Sequence, residues 1–318
     1  MKSSPLFLAL VLLAILPAPS RAEDPPVFLL KWGTPGNGPG QFNTPNDLAV
    51  DVNGNVFVTD SGNDRVEKFT GDGAFVKEVG GTSTTGQGGF RTPMGIAIDP
   101  AGNVYVGDLL NSLIQVFDND LNFIRQGPAS AGGGLGIDPT GQFLYTTYLG
   151  DLATFRISDG MLIDRQHFAP DNSTHSIGVG SSGAICVGLG TSFGSSIDYV
   201  AKLSAAGAIL AQWGGSGDAD GQFFGVEGLG VDMAENVYVG DGGSTRVQKF
   251  TSSGAFLTKW GSLGSGDGQF SNGLFAVAVD RQGNVFVLDA GLSRVQKFGL
   301  RPTPTLPRSW GRLKLLYR

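Results

Sequence analysis

The chain has 318 residues, 51 of them glycine, more than twice the usual share, while charged residues reach only 16% against a typical ~25%. Hydrophobic residues at 41% exclude a disordered polar chain, and glycine without a G-X-Y period excludes collagen. All 28 acidic residues fall between 23 and 300, where only 15 basic ones accompany them; that body carries −13 and argues against nucleic acid as a partner.

Residues 1–22 read as a signal peptide. Lys2 gives the charged start, Leu6 to Leu16 is an unbroken apolar run, and Ser20-Arg21-Ala22 supplies small residues before an expected cleavage at Glu23. The run is shorter than the ~20 residues a spanning helix needs. No second long apolar run follows, so no membrane span is expected. The mature chain is expected to be secreted, periplasmic or held at the cell surface. Cys186 is the sole cysteine and lies in the strand-like stretch Ala184 to Val187. It reads as a small buried core residue, and no internal disulfide supports the fold.

An internal repeat organises residues 23–300. The first copy holds Pro45-Asn46-Asp47-Leu48-Ala49-Val50-Asp51, then Gly54-Asn55-Val56-Phe57-Val58-Thr59-Asp60, then Arg65-Val66-Glu67-Lys68-Phe69. Strong copies follow from Pro93, Leu229 and Val277, and weaker ones from Leu135 and Ile177. The turn before the second strand falls at 54, 102, 141, 183, 235 and 283. Each copy reads as four strands, the first two joined by a Gly-Asn turn. Strands such as Val56-Phe57-Val58 are apolar on both faces, as in a sheet covered from both sides. Four-stranded units at a period of 40–50 residues predict a β-propeller.

The recurring pattern G-x-G-Q-F…P-x-G-[ILV]-A-V-D…G-N-V-[FY]-V-x-D…N-x-R-V-[QE]-K-F resembles the NHL repeat. The resemblance covers 28–299 and implies an all-β, six-bladed propeller. The last copy stops at Phe298 without a fourth strand. That strand is found at the other end, as Phe28-Leu29-Leu30-Lys31-Trp32-Gly33, so the N-terminal strand is expected to complete the last blade.

Three blades repeat an Asp followed five residues later by Arg: Asp60 and Arg65, Asp241 and Arg246, Asp289 and Arg294. Repetition points to structural pairs across a turn rather than to catalytic groups. Asp51 to Asn55 has the look of a calcium loop but reads better as a hairpin, because position 12 is Gly62. The stretches Gly36 to Gly40 and Gly215 to Gly221 lack the Lys-Ser/Thr ending of a phosphate loop and read as inter-blade linkers. With only His167 and His175, a zinc site is largely closed.

One position varies where the framework repeats. It is occupied by Asn46, Met94, Gly133, His175, Glu227 and Phe275, and is expected near one mouth of the channel. Asn46, Asp47, His175 and Glu227 form the candidate ligand-binding set. Sugar-lactone hydrolases on six-bladed propellers hold calcium with a similar Glu/Asn/Asp cluster, so calcium is the ion this set would take; otherwise no cofactor is expected.

Residues 301–318 leave the repeat as a Pro-rich linker and a short basic, apolar tail, a candidate sorting or surface-attachment signal. The reading reached is an exported, monomeric propeller acting as a non-catalytic scaffold for a protein or an extracellular glycan. A metal-dependent hydrolase or lyase at the channel mouth is the first alternative. A structural cell-surface component is the second.

Overall fold

A computed structural model of the chain describes residues 23–81, 86–128, 133–148, 150–167, 176–190, 198–273 and 275–299. The signal-peptide and tail expectations therefore lie outside the described residues. Six four-stranded antiparallel sheets form the blades of a closed ring. No described helix is long and apolar enough to cross a membrane.

Each blade follows the same course from channel to perimeter. In blade 1 the strands are Pro45–Val50, Val56–Asp60, Arg65–Phe69 and Phe75–Gly80. Blades 2 to 5 begin on the inner strands Pro93–Ile98, Gly134–Ile137, Ile177–Val179 and Val226–Val231. They end on the outer strands Phe123–Gln126, Leu162–His167, Ile209–Gly214 and Phe256–Trp260. Blade 6 takes Phe275–Val279, Val285–Asp289 and Arg294–Gly299 from the C-terminal end and Val27–Trp32 from the N-terminal end. The N-terminal strand pairs antiparallel with Arg294–Gly299, with Trp32 opposite Val295. Glu23 extends the seal, bonding the Leu257 carbonyl of blade 5 at 3.0 Å and Lys249 at 2.6 Å.

The second strands are buried along their whole length in blades 1, 2, 4, 5 and 6. Six apolar clusters result, one at each interface between blades. The blade 6/1 cluster, for example, joins Phe286, Leu288 and Val295 to Leu48, Val56 and Phe69. Four of the clusters receive a phenylalanine from the connector that enters the next blade: Phe42, Phe90, Phe223 and Phe270, each fully buried. Tryptophans of three outer strands close the same seams. Trp32 tilts against Phe69 at 6.0 Å, Trp213 against Phe250 at 5.9 Å, and Trp260 against Phe298 at 5.8 Å.

The inner hairpins refine the Gly-Asn expectation. Gly54, Gly102 and Gly283 take the left-handed backbone, with φ of 82°, 91° and 81°. The asparagine serves a different purpose: Asn55 donates its side-chain amide to Asp51 at 2.8 Å. Asp51 also accepts the Asn53 and Asn55 backbone N–H groups of the turn, and the Asn119 amide of blade 2 at 3.0 Å.

Blade 4 breaks this rule, because Gly180 stands where the aspartate should be. Glu235 of blade 5 compensates across the seam. It accepts bonds from the Ser182 N–H at 2.8 Å and from the Ser181 and Ser182 hydroxyls at 2.8 and 2.9 Å. Glu235 itself occupies the left-handed turn position that is glycine in the other five blades, with φ of 66°.

Trp32→Ala should cost about 3–5 kcal/mol by leaving a cavity at the closing seam. Deleting residues 23–33 should cost more, since it also exposes the edge of Arg294–Gly299. Thermal melts followed by circular dichroism should show a drop of about 10 °C for Trp32→Ala and a larger, less cooperative loss for the deletion. An unchanged melting temperature in the deletion variant would refute closure by this strand.

Candidate functional site

The inner strands all run the same way, so one mouth of the channel carries their first residues and the other their hairpin turns. The upper mouth opens into a cavity of about 390 Å³ lined by all six inner strands. Asn46, Met94, Gly133 and Glu227 stand at this mouth. Asn46 and Glu227 are extra residues in β-bulges, lying between Pro45 and Asp47 and between Val226 and Gly228. A bulge re-aims the inserted side chain, which places these two on the cavity rather than in a blade face.

One layer deeper the ring is made of small residues, Gly95, Gly134, Ser176, Gly228 and Ala276, with Asp47 as the exception. Asp47 borders the cavity and is half-buried, in the channel between blades 1 and 2. Its Oδ1 accepts the Leu48 N–H at 2.8 Å and its Oδ2 accepts the Ile96 N–H at 3.0 Å, tying blade 1 to blade 2. Burial pushes its pKa up to about 7, against the lowering effect of those two N–H donors. Glu227 packs against Gly225 and Gly242. Burial also raises its pKa, and the charges of Asp198 and Asp241 add to the shift.

The cavity therefore brings Asn46, Asp47 and Glu227 together; His175 lies outside the described residues. Among the described residues no group of three or more His, Cys, Asp or Glu is placed to hold a metal ion. Cys186 is buried and its thiol pKa is pushed up to about 12, mainly by burial.

Val50, Ile98, Ile137, Val179, Val231 and Val279 line this cavity and also a second one of about 320 Å³ at the lower mouth. They form an apolar waist between the two. Sequence reasoning passed over this waist, although one β-branched residue before each hairpin was legible in every repeat. The lower mouth is ringed by Asp51, Asp99, Asp138, Asp232 and Asp280. Like Asp51, the others accept bonds from their own turns.

The Asp and Arg residues of the repeat form clasps at the upper rim. Arg65 Nε meets Asp60 at 2.9 Å, Arg246 meets Asp241 at 2.8 Å, and Arg294 meets Asp289 at 3.0 Å, all buried. The guanidinium groups also donate to connector carbonyls: Arg65 to Asn37, Gly38 and Gln41, and Arg246 to Asp218, Ala219 and Gln222. The other oxygen of each aspartate accepts a connector N–H, from Asn43, Phe224 and Ser271. These side chains thus hold the glycine-rich linkers, and the linkers hold the buried phenylalanines. In blade 2, where Leu113 replaces Arg, Asp108 takes Gln115 at 3.1 Å and Asn111 at 2.7 Å instead.

A third side chain of the clasp was missed. Gln115, Gln248 and Gln296 donate to connector carbonyls at 2.6–2.7 Å and accept a connector N–H at 2.9–3.0 Å. Blade 1 has Glu67 there. Its Oε1 accepts the Gly40 N–H at 2.8 Å, while its buried Oε2 has no partner. Burial pushes the Glu67 pKa up to about 7, opposed by Gly40 and the Arg65 charge. Oε2 stands where glutamine carries its donor amide in the other clasps, so the carboxylate lacks that donor.

Fold and site together define a six-bladed β-propeller with an apolar waist and a variable upper mouth. Residues 42–69, the end of the first connector and three strands of blade 1, match the family model of the NHL repeat. Comparison with curated proteins finds no match. Among solved structures, hydrazine synthase of Kuenenia stuttgartiensis aligns at 11% identity and TM-score 0.57, over 82% of this chain and 97% of that one. Virginiamycin B lyase of Staphylococcus aureus aligns at 13% identity and TM-score 0.53, over 80% of each chain. A Bacteroides thetaiotaomicron protein of unknown function aligns at 15% identity and TM-score 0.66, over 84% of this chain and 74% of that one. At these identities the likeness establishes the fold alone.

Glu67→Gln should stabilise the ring, with a pH signature. A carboxyl whose pKa is raised on folding contributes stability that is present below its ordinary pKa and lost as pH rises through about 7. The gain from glutamine should therefore be small at pH 5 and reach roughly 1–3 kcal/mol at pH 8, read from urea denaturation at both pH values.

Proposed function

We propose that the chain is an exported propeller that binds a protein or an extracellular glycan at its upper mouth without transforming it. The observation that carries this reading is the contrast between a repeated framework and a varied mouth. Clasps, connectors and hairpins recur from blade to blade, while Asn46, Met94, Gly133 and Glu227 differ at one register position and share one cavity. A mouth with an amide, a thioether and a carboxylate offers mixed polar and apolar contacts, the pattern of a recognition site. Export rests on residues 1–22 read as a leader, and attachment on the tail 301–318.

A catalytic reading is favoured by one observation. Burial pushes the Asp47 pKa up to about 7 and raises that of Glu227 on the same cavity, a pair of acids suited to proton transfer. Two of the structures that share the fold are a lyase and a synthase, in line with a hydrolase or lyase as the second reading.

The test is a glycan array and capture from the native extracellular fraction, using the full mature chain beside an Asn46→Ala/Glu227→Gln variant. A partner bound by the chain and weakened at least about tenfold in the variant, with no change in melting temperature, supports the scaffold. A partner held equally by both proteins overturns the mouth as the site. Lactonase or lyase turnover lost in Glu227→Gln would replace the scaffold with the enzyme.

A further inference from the structure

The perimeter seams show how the molecule seals itself. The tryptophan of an outer strand lies over the outer turn of the next blade, where only glycine leaves room. A Cβ on Gly73 would stand 2.8 Å from the Trp32 ring, and one on Gly254 would stand 2.6 Å from the Trp213 ring. At the blade 1/2 seam the strand position is Val79, packed in the cluster that contains Leu121. At the 2/3 seam Pro128 lies over Gly160.

The seam between blades 3 and 4 keeps the glycine but lacks the ring. Gln166 takes the tryptophan position and lies over Gly207, so closely that a Cβ there would collide with its amide. The slim amide leaves the seam unfilled. A cavity of about 270 Å³ remains, walled by Phe143, Tyr145, Leu152, Ile163 and Ile185, with the Ala205 to Gly207 turn on its far side. That space suits one indole side chain. The surface around its entrance is apolar as well. Met161, Leu162 and Ile163 of blade 3 and Ile209 and Leu210 of blade 4 are each 44–60% exposed.

We propose that this seam is a docking groove for a partner polypeptide that inserts a tryptophan, with a basic residue beside it. The aromatic preference is argued from the molecule itself, since equivalent seams are filled by Trp32 and Trp213. The basic neighbour follows from charge. Asp164 lines the groove and is exposed, the body carries −13, and Lys31 and Lys259 precede their own tryptophans in pairs with Asp267 and Asp220 at 2.8 and 2.6 Å. Exposed leucine and isoleucine on both lips would cover the flanking apolar residues of the partner, the arrangement of an anchor side chain ringed by weaker contacts. The groove lies on the perimeter near the lower face, away from the upper mouth, so it stands or falls apart from the function proposed above.

The experiment titrates the full mature protein into a fluorescein-labelled peptide, Leu-Thr-Lys-Trp-Gly, the sequence of residues 257–261, and follows fluorescence polarisation. Saturable binding is expected, together with at least a tenfold loss when the peptide tryptophan becomes alanine. Gln166→Trp, which refills the groove from within, and Ala206→Arg, which blocks its exposed rim, should each abolish binding. Gln166→Trp should also raise the melting temperature, while Glu227→Gln should leave peptide binding unchanged. If Gln166→Trp fails to fold, Ala206→Arg at the surface decides alone. Absence of saturation up to about 1 mM, or binding unaffected by Ala206→Arg, overturns the proposal. Binding that emerges only after removal of residues 301–318 also overturns it, because the groove would then belong to the chain's own Trp310 segment.

Discussion

A blade that is apolar on both faces cannot stand alone. The second strands are buried from end to end, so each sheet requires a neighbour on either side, and six such sheets satisfy one another only as a closed ring. Everything else in the structure serves that closure. The N-terminal strand crosses to the C-terminal blade because the last repeat has three strands, and a three-stranded blade would leave Val295 and Phe298 uncovered.

The polar groups at the rim make the closure specific. The Asp of each clasp, with the Arg, Gln or Glu beside it, engages the connector backbone, and the connector delivers a phenylalanine into the next seam. Hydrogen bonding and apolar packing are thus joined through one loop. A buried ion pair alone is weak support for stability. Here the pair also satisfies carbonyls and N–H groups that a buried glycine-rich loop would otherwise leave orphaned. Glu67 shows the same logic under strain, since a carboxylate in a glutamine place has one acceptor too many. The Gly180 and Glu235 exchange shows it relocated, a turn aspartate replaced by a glutamate reaching over from the next blade.

Departures from the repeat concentrate on blades 3 and 4. Their seam has neither a buried connector phenylalanine among the described residues nor an outer-strand tryptophan. A closed ring tolerates one loosely filled seam because the other five still hold the blades in register. That tolerance allows a surface opening there without loss of the fold.

Much of this was determined by the sequence itself. The turn residues, the apolar second strands and the displaced Phe28 to Gly33 segment were enough to define six blades and their closure, because each is a local pattern repeated at a constant period. The Asp and Arg spacing likewise marked a structural pair. The sequence also placed Asn46 and Glu227 at one mouth, since register within a repeat fixes height along the channel. Only the tertiary structure decided what those positions meet. Asp47 could be seen to replace a glycine, but not that its carboxylate bonds the Ile96 N–H of the next blade. Gln166 looked like an ordinary polar strand residue, and its importance lies in the seam it shares with Gly207, 41 residues further along the chain, where a ring is missing. Contacts between blades are long-range, set by how neighbouring sheets stack, and no local pattern encodes the space left between them.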